Sequence, residues 1–348
     1  SVNYMSLSSL KSIYSQMPPH IAIKTMASSY WISQCIYVAA KLGIADLLKE
    51  GEKHCEYIAS VTATNNDSLY RLLRALASLG IFAETQPYYF RLTPLGACLQ
   101  SDCLNSTRNY AILLGEEFYQ AWLNVMYSIQ TGKNAFEEFY GMNLFEYYQK
   151  NPTVGQIFDQ AMTEFSAANC AAVLAAYDFS SVGKLVDVGG SNGILLAAIL
   201  QANPTMTGVV FDLPNVIDKA ENFLERAGVS NRCQLVAGDF FESVPTGGDI
   251  YILKHIVHNW DWERASKILT RCYEAMTKQS KLLLIEQVIS SANEPCIAKL
   301  WDLHMLVVCP GGRERTEAEY QHLLKSTGFT FNKIIPTQSD VSLIEAVK

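Results

Sequence analysis

The segment from Leu185 to Gly193 constrains this chain more than any other. It reads Leu-Val-Asp-Val-Gly-Gly-Ser-Asn-Gly, so β-favouring residues surround Asp187 and glycines follow. An apolar stretch with helical character, 194–200, begins directly afterwards. A strand, a glycine turn and a helix in this order form a nucleotide-binding crossover. The segment therefore predicts an α/β domain with a ligand at the carboxyl ends of its strands.

The acid before the turn restricts the kind of ligand. A dinucleotide fingerprint has glycines at its first, third and sixth positions. Counted from Gly189, the third and sixth positions hold Ser191 and Ile194. A carboxylate at the strand end disfavours a pyrophosphate and suits a positively charged ligand without phosphate. S-adenosylmethionine is such a ligand.

From Lys184 onward the chain alternates between strands and helices, which is typical of a doubly wound, Rossmann-like sheet. The last two strands are separated by a short polar turn, so we expect them to pair antiparallel at the sheet edge. The predicted strands are 184–188, 207–211, 233–237, 249–254, 281–287, 329–335 and 341–347.

The region 1–105 predicts a mainly helical unit that ends in a hairpin. Apolar residues repeat with helical period over 29–48, interrupted by Gly43. Another helix is expected from Tyr57, and Asp67 is expected to cap an amphipathic helix that ends at Gly80. A two-stranded hairpin should follow, which completes a winged helix. The region 106–178 is helical and aromatic and is expected to contribute to an acceptor pocket, and 179–348 is the ligand-binding domain.

Charge and composition exclude several classes of partner. The formal net charge is −7, which disfavours nucleic acid and anionic membranes although Arg71 and Arg74 lie on the third helix of the winged unit. No apolar run approaches the ~20 residues of a membrane span. Without a leader-like start and with nine scattered cysteines, a cytoplasmic protein with reduced thiols is expected.

Three acids are predicted to end three successive strands on one sheet edge. Asp187 precedes the glycine turn, and Asp212 ends the second strand, where an acid can accept both ribose hydroxyls of an adenosine. Asp239 and Phe240 follow the third strand, where an adenine would lie. Together with the turn, these residues predict an adenosine site.

The fourth strand leads into the residues expected to carry chemistry. Lys254 ends this strand and can hold the ligand's carboxylate or adenine edge, and His255 and His258 follow. Histidines three apart fall on one helical face, but no carboxylate neighbours them at ligand spacing, so no metal is predicted. His258 is instead predicted to be a general base for a phenol, whose pKa is about 10. Glu286 and Glu314 are candidates to orient it, although Glu314 is equally well explained as a solvated loop acid.

These motifs resemble the class I S-adenosylmethionine-dependent O-methyltransferases of small hydroxylated aromatics. In this family a winged-helix dimerisation domain precedes the catalytic domain, as in caffeic-acid-type, acetylserotonin-type and polyketide-tailoring enzymes. The resemblance covers the chain from about residue 25. The motifs that carry it are 67–76, 92–96, 185–193, 211–214, 238–240, 253–260 and 310–316.

The resemblance implies a methyl transfer to an aromatic hydroxyl, with a homodimer formed through the N-terminal helices. It implies His258 as the base, flanked by Glu286 and Glu314. The predicted cofactor-binding residues are Asp187, Gly189, Gly190, Gly193, Asp212, Leu213, Asp239, Phe240 and Lys254. The predicted acceptor-pocket residues are Met162, Trp301, His304 and Met305.

Two departures from the family pattern stand out. Ser191 replaces the usual third glycine, which is compatible with the turn if its φ is negative. Asn259 follows the base in place of the usual Asp, which removes one electrostatic support for an imidazolium.

Three alternatives stay open at this point. One is a C-methyltransferase of a keto acid that uses a metal, for which His258 and His304 are candidate ligands, although Asn259 disfavours it. Another is an enzyme that binds the cofactor but hydroxylates, decarboxylates or rearranges its substrate. The third is a non-catalytic transcriptional module, suggested by the winged helix.

Overall fold

The computed structural model describes residues 7–348, and their side chains from residue 11 onward. The first six residues of the predicted 1–105 region therefore lie outside the described residues. The chain divides into two compact units. One comprises Ile13–Met126 and Phe136–Phe165, and the other comprises Tyr127–Ala135 and Ser166–Lys348 with the described residues up to Ser12.

The helices are α1 (Leu7–Ser15), α2 (Pro19–Ala27), α3 (Tyr30–Leu42), α4 (Ile44–Leu47), α5 (Cys55–Thr62), α6 (Asn66–Ser78), α7 (Pro94–Ala97), α8 (Arg108–Gly115), α9 (Glu117–Leu123), α10 (Val125–Thr131), α11 (Ala135–Tyr140), α12 (Leu144–Lys150), α13 (Pro152–Ala176), α14 (Ile194–Ala202), α15 (Pro214–Ile217), α16 (Ala220–Arg226), α17 (Trp262–Ala275), α18 (Ile297–Val308) and α19 (Glu317–Ser326). The strands are β1 (Lys53–His54), β2 (Phe82–Gln86), β3 (Tyr89–Leu92), β4 (Lys184–Val188), β5 (Thr207–Asp212), β6 (Cys233–Ala237), β7 (Ile250–Lys254), β8 (Lys281–Glu286), β9 (Val288–Ile289), β10 (Arg315–Thr316), β11 (Thr330–Pro336) and β12 (Ser342–Val347). Over residues 7–348, every helix is too short or too polar to cross a lipid bilayer.

The second unit is built on one twisted sheet with the strand order β11-β12-β8-β7-β4-β5-β6. Strands β8, β7, β4, β5 and β6 run parallel, and β12 pairs antiparallel with both β8 and β11. The predicted strands and the antiparallel end of the sheet are confirmed. Because the chain leaves β4 toward β5 and later returns to its other side with β7, the carboxyl end of β4 is the switch point where such sheets bind ligands.

The central strands carry apolar residues on both faces, because helices cover the sheet on both sides. Val186 and Val188 pack into a cluster with Val209 and Phe211 on one face. Leu185 and its neighbours on β5 and β7 pack into a second cluster on the other face. This double burial fixes the strand ends on which the site is built.

The first unit contains the predicted helices and hairpin. Gly43, at φ 70°, ends α3 as expected, and β2 pairs antiparallel with β3. The short strand β1, which the sequence pattern does not reveal, extends this sheet in the order β1-β3-β2.

Two helix starts in this unit differ from the prediction. Helix α5 begins at Cys55 rather than Tyr57, because the ring of His54 accepts a hydrogen bond from the backbone N–H of Glu56 at 3.1 Å. Asp67 is not the cap of α6. The cap is Asn65, whose backbone is extended and whose side chain accepts the N–H of Ser68 at 2.9 Å.

A small parallel sheet joins two loops at the carboxyl edge of the large sheet. Strand β9 follows β8 closely, and β10 precedes α19. Val288 pairs with Arg315, and Ile289 pairs with Thr316. This pairing brings the exit of β8 beside the loop that follows α18.

Candidate active site

The glycine turn after β4 approaches its neighbours so closely that side chains are excluded. The N–H of Gly189 donates to the carbonyl of Phe211 at 2.8 Å, and its φ is +74°. A Cβ at Gly189 would lie 2.5 Å from Cδ1 of Ile256 and 3.5 Å from Cε2 of Phe240. The predicted neighbours Gly189 and Phe240 are therefore brought together. A Cβ at Gly190 would lie 2.9 Å from the carboxyl carbon of Asp187.

Asp212 is fixed at the end of β5 by two backbone donors. Its Oδ2 accepts the N–H of Ser191 at 2.9 Å, and its Oδ1 accepts the N–H of Leu213 at 2.7 Å. Ser191 has a φ of +56°, so the expectation of a negative φ is wrong. We attribute this conformation to the hydrogen bond to Asp212, which holds the turn without a third glycine. The remaining lone pairs of the carboxylate face no strand partner and suit hydroxyl donors.

Asp187 and Lys254 form a buried pair of opposite charge beside the turn. Burial raises the pKa of Asp187 to about 7, although the Lys254 ammonium lowers it. Burial lowers the pKa of Lys254, whose Nζ donates to the carbonyl of Ser166 at 2.7 Å. Both side chains line the same cavity as Gly189 and Gly190. A carboxylate with a raised pKa gains most from an additional positive charge nearby.

The predicted adenine side lies beyond β6. Asp239 begins a turn in which its Oδ1 accepts the N–H of Phe241 at 2.9 Å. The ring of Phe240 packs edge-on against Phe241 and Trp260, with centroids at 5.0 and 6.3 Å. The acids Asp187, Asp212 and Asp239 thus follow or end three adjacent parallel strands, as predicted from the sequence.

His258 lies in a 3-10 turn, Val257–Asn259, just after β7. Its Nδ1 is 2.7 Å from Oε1 of Glu314, and its main-chain N–H donates to Oε2 of Glu286 at 2.9 Å. Burial lowers the pKa of His258, but the Glu286 charge and the Glu314 hydrogen bond prevail and raise it to about 9. Glu314 is 1% exposed, so the solvated-loop interpretation of this acid is wrong. Glu314 holds the ring, whereas Glu286 holds the main chain.

Several residues that sequence reasoning missed hold this arrangement in place. The buried guanidinium of Arg315 donates to the carbonyls of Val257 and Trp260 at 3.1 and 2.8 Å, on either side of His258. Asp302 accepts the N–H of Glu314 at 2.8 Å. Tyr320 donates its hydroxyl to Oε2 of Glu286 at 3.3 Å. Arg315 lies within the motif 310–316, but its carbonyl partners are more than 50 residues away along the chain, and Asp302 and Tyr320 belong to none of the motifs.

His255 departs from the predicted helical face. It follows β7 directly with a φ of +53°, and yet its ring centroid lies 5.1 Å from that of His258. Its Nδ1 is 3.6 Å from Oε1 of Glu286. No carboxylate lies near the two histidines in the sequence, but Glu286 lies beside them in the structure, so the prediction of no neighbouring carboxylate is wrong. His255, His258 and Glu286 each offer one ligand-type atom, and these atoms lie within 4.8 Å of one another.

The predicted acceptor-pocket residues lie on two helices. Trp301, His304 and Met305 lie on α18, with the rings of Trp301 and His304 at 5.2 Å. Burial lowers the pKa of His304 to about 4, so its ring is neutral at physiological pH. Met305 packs beside Gly312, close in sequence to Glu314. Met162 lies on α13 in the other unit, and its role stays a prediction.

The residues around the turn fit S-adenosylmethionine. A Cβ at Gly189 would fill the space beside the turn, so glycine keeps this surface open. The carboxylate of Asp212, which two backbone N–H groups fix in place, suits ribose hydroxyls. The acidic strand ends suit a cation. Such a ligand contains no pyrophosphate and needs no basic binding site for one, which agrees with the presence of Asp187 near the end of β4.

Comparisons with known proteins agree with this geometry. A family model for the O-methyltransferase domain matches residues 122–330, and a model for the O-methyltransferase dimerisation domain matches residues 25–102. This chain belongs to the O-methyltransferase family. The resemblance inferred from its motifs is confirmed, and the protein is an S-adenosylmethionine-dependent methyltransferase.

Individual relatives cover almost the whole O-methyltransferase chain. The phenazine O-methyltransferase PhzM of Lysobacter antibioticus is 43% identical over 92% of this chain and 94% of its own. The crystal structure of LaPhzM superposes with a TM-score of 0.89 at 42% identity, covering 95% of this chain and 99% of the other. Another structure is that of the O-methyltransferase NcsB1 from neocarzinostatin biosynthesis, in complex with S-adenosylmethionine and 2-hydroxy-5-methyl naphthoic acid. It superposes with a TM-score of 0.76 at 32% identity, covering 91% of this chain and 95% of the other.

Proposed function

We propose that this O-methyltransferase methylates a phenolic hydroxyl of a fused or substituted aromatic compound, with His258 as the general base. The observation that carries this proposal is the 2.7 Å contact between Nδ1 of His258 and Oε1 of Glu314. With Nδ1 engaged by a carboxylate, Nε2 is the nitrogen that takes the acceptor's proton. This is the arrangement of a base oriented by a third group.

The chain's own residues account for the proton. The phenolic hydroxyl, with a pKa of about 10, is a poor nucleophile until the proton is removed. His258 accepts it, and the negative charges of Glu314 and Glu286 stabilise the imidazolium that forms. When bound, the cofactor supplies an electrophilic methyl group beside a positive charge. Near that charge His258 releases its own proton at a lower pH, which makes the free base available.

The remaining residues position the reactants. The glycine turn, Asp212 and Phe240 hold the nucleoside, and Asp187 and Lys254 border the methionine end. Alignment of oxygen, methyl carbon and sulfur contributes most of the rate, and a positioned base adds roughly 10²–10⁴-fold.

The acceptor class follows from the relatives and from α18. The names of two relatives refer to fused aromatic compounds, a phenazine in one and a naphthoic acid in the other. Trp301 and Met305 offer an aromatic and a flexible apolar surface beside the loop of Glu314, which suits a flat ring. We therefore extend a hydroxylated, fused aromatic acceptor to this chain.

The N-terminal unit is proposed to form a homodimer. Its family model is a dimerisation domain. Helices α2 and α3 leave Ile23 and Trp31 each 62% exposed, with Met26 and Ile32 also exposed. Such an apolar surface on one unit is typical of a subunit interface. We expect a mass of two chains in light scattering, and Trp31→Glu should shift it toward one chain. We further propose that the enzyme works in the cytoplasm.

The function is tested by methyl transfer from radiolabelled S-adenosylmethionine to a panel of acceptors. The panel comprises a hydroxyphenazine, a hydroxynaphthoic acid and a hydroxybenzoic acid, with the matching methoxy compounds as controls. Label should enter the hydroxy compounds alone, as a methyl ether. Label on carbon or nitrogen of the methoxy controls, or transfer to a keto acid without a phenol, would contradict the proposal.

A further inference from the structure

A second histidine is built into the support of the base. His255 directly follows the last residue of β7 and adopts a left-handed backbone conformation, with a φ of +53°. Left-handed residues other than glycine, Asn and Asp are strained and cluster at functional sites. His255 lies within the motif 253–260 but has no role assigned above, so we explain its conformation by the contacts of its side chain.

The first contact is with Asn169 on α13. Nδ2 of this amide lies 3.4 Å from Nε2 of His255. Asn169 is 4% exposed. Because the amide donates to Nε2, the ring carries its hydrogen on Nδ1. That hydrogen is on the side of the ring that faces Glu286.

The second contact is with Glu286 itself. Nδ1 of His255 is 3.6 Å from Oε1, while the other carboxylate oxygen accepts the main-chain N–H of His258 and the hydroxyl of Tyr320. The carboxylate is completely buried, and within residues 7–348 its Oε1 accepts no hydrogen bond, so the 3.6 Å approach of the His255 ring is an electrostatic contact. One face of Glu286 is thus directed at His255 and the other at the His258 segment.

We propose that His255 is a positioning residue for methyl transfer: held by Asn169, it orients the Glu286 carboxylate so that Glu286 supports His258. The inference rests on the proposed function, because His258 is taken as the base. It explains the strained backbone, since only that conformation brings the ring beside Glu286 so soon after the strand. It also explains a buried amide on a helix distant in sequence.

Other charged and titratable groups surround this relay, and the substitutions below leave these residues in place. They are Lys254 on β7, Asp302 on α18, Glu314 on the loop after α18, Arg315 on β10 and Tyr320 on α19. The ring of His255 also lies 5.1 Å from that of His258, so Asn169→Leu, which keeps this ring, is the variant that isolates the route through Glu286.

The test uses two variants that reach Glu286 from different positions. His255→Asn removes the imidazole but tolerates a left-handed backbone, and Asn169→Leu removes the amide while keeping the ring. Asn203→Leu is the matched control, because it removes an amide hydrogen bond to Ile199 at the distant end of α14. Titration of His258 is followed by NMR of ¹³C-histidine-labelled full-length protein with S-adenosylhomocysteine bound, which needs no acceptor.

In both variants the titration midpoint of His258 should fall by at least half a pH unit, because a loosened Glu286 stabilises the imidazolium less. The double variant should show no further shift, and Asn203→Leu should show none. Affinity for S-adenosylhomocysteine should stay within threefold of the parent. Turnover with the hydroxyphenazine probe should fall about tenfold in kcat with little change in KM, a fraction of the full effect of a base.

An unchanged midpoint in both folded variants would overturn the positioning role. Circular dichroism and cofactor affinity establish folding, and if His255→Asn fails to fold, Asn169→Leu alone decides the question. If the midpoint shifts but no acceptor in the panel is methylated, the positioning role stands and the proposed acceptor class falls. The two proposals therefore fail in distinguishable ways.

Discussion

Glu286 and Glu314 lie beside the two strands of one small parallel sheet. Glu286 is two residues before Val288, Glu314 is one residue before Arg315, and Val288 pairs with Arg315. Both carboxylates are almost completely buried and both contact His258, one through the main chain and one through the ring. Pairing of two-residue strands thereby sets the separation of the acids that flank the proposed base.

Replacement of His258 by Ala should abolish most turnover. The loss expected is about 10²–10⁴-fold in kcat, the range of a positioned general base. Cofactor affinity, measured by calorimetry, should stay close to that of the parent because the nucleoside contacts lie elsewhere. If His258→Ala methylates the phenolic probe at the parental rate, His258 is not the base.

Replacement of Glu314 by Gln tests the electrostatic part of the support. The amide can still contact the ring but carries no charge, so the imidazolium is less stable and the pKa of His258 falls. Since the unprotonated ring is active, the acidic limb of the pH–rate profile should move to lower pH, and the plateau rate should decrease by about 10-fold or more. Asp302→Asn is a useful comparison, because it leaves the ring contact intact. A limb at the same pH in Glu314→Gln and the parent would contradict the role of Glu314.

The raised pKa of His258 has a consequence for stability. The folded state raises the pKa from 6.5 to about 9, so the protonated ring stabilises the fold fully below pH 6.5. This contribution is lost as the pH rises through 9. The parent should therefore lose on the order of 3 kcal/mol more unfolding free energy than His258→Asn between these limits. Parallel stability curves in denaturant titrations at several pH values would contradict this.

Asp187 is expected to lower the stability of the free protein while it strengthens cofactor binding. Its pKa rises from 3.8 to about 7 on burial, so the unprotonated carboxylate destabilises the free protein as the pH increases. Asp187→Asn should raise the unfolding free energy by on the order of 4 kcal/mol at pH 8, and by about half as much at pH 5.5. The same variant should bind S-adenosylmethionine at least tenfold more weakly. Weaker binding without the gain in stability would show that burial is not what raises this pKa.

Asp212→Asn should weaken the cofactor without unfolding the protein. Both carboxylate oxygens accept backbone N–H groups, and an amide must place its NH₂ against one of those donors. We expect a loss of about 1–3 kcal/mol in binding, the range for a charged hydrogen bond. Calorimetry with S-adenosylhomocysteine measures this directly. An affinity equal to that of the parent would remove Asp212 from the site.

Much of the fold was predictable because its central strands are buried on both faces. Runs such as 250–253 and 282–285 are continuously apolar, which is typical of strands buried on both faces. The two-residue strands β1, β9 and β10 are too short to contain such an apolar run, so the sequence does not predict them. The sequence predicts Asp67 as the cap of α6, whereas the structure places the cap at Asn65, whose extended backbone marks the start of the helix.

The site was predictable where each residue belongs to a local motif. The glycine turn, Asp212, Phe240 and His258 all follow strand ends, and parallel strands bring those ends together. Asn169, Asp302 and Tyr320 were not predictable, since each reaches the site from a helix and is recognised only by its contact. The left-handed conformation of Ser191 was missed for the same reason, because it depends on a hydrogen bond across two strands.

Arg315 donates hydrogen bonds to the carbonyls of Val257 and Trp260, on either side of the proposed base, and this affects how the enzyme can evolve. The segment that carries the proposed base is thereby fixed to the strand that bears Arg315. The surfaces expected to meet the acceptor, Trp301 and Met305, lie instead on α18, where Asp302 also supports the main chain of Glu314. Descendants of this enzyme can thus exchange one aromatic acceptor for another by mutating Trp301 and Met305, while Asp302 and the proton-accepting residues are inherited unchanged.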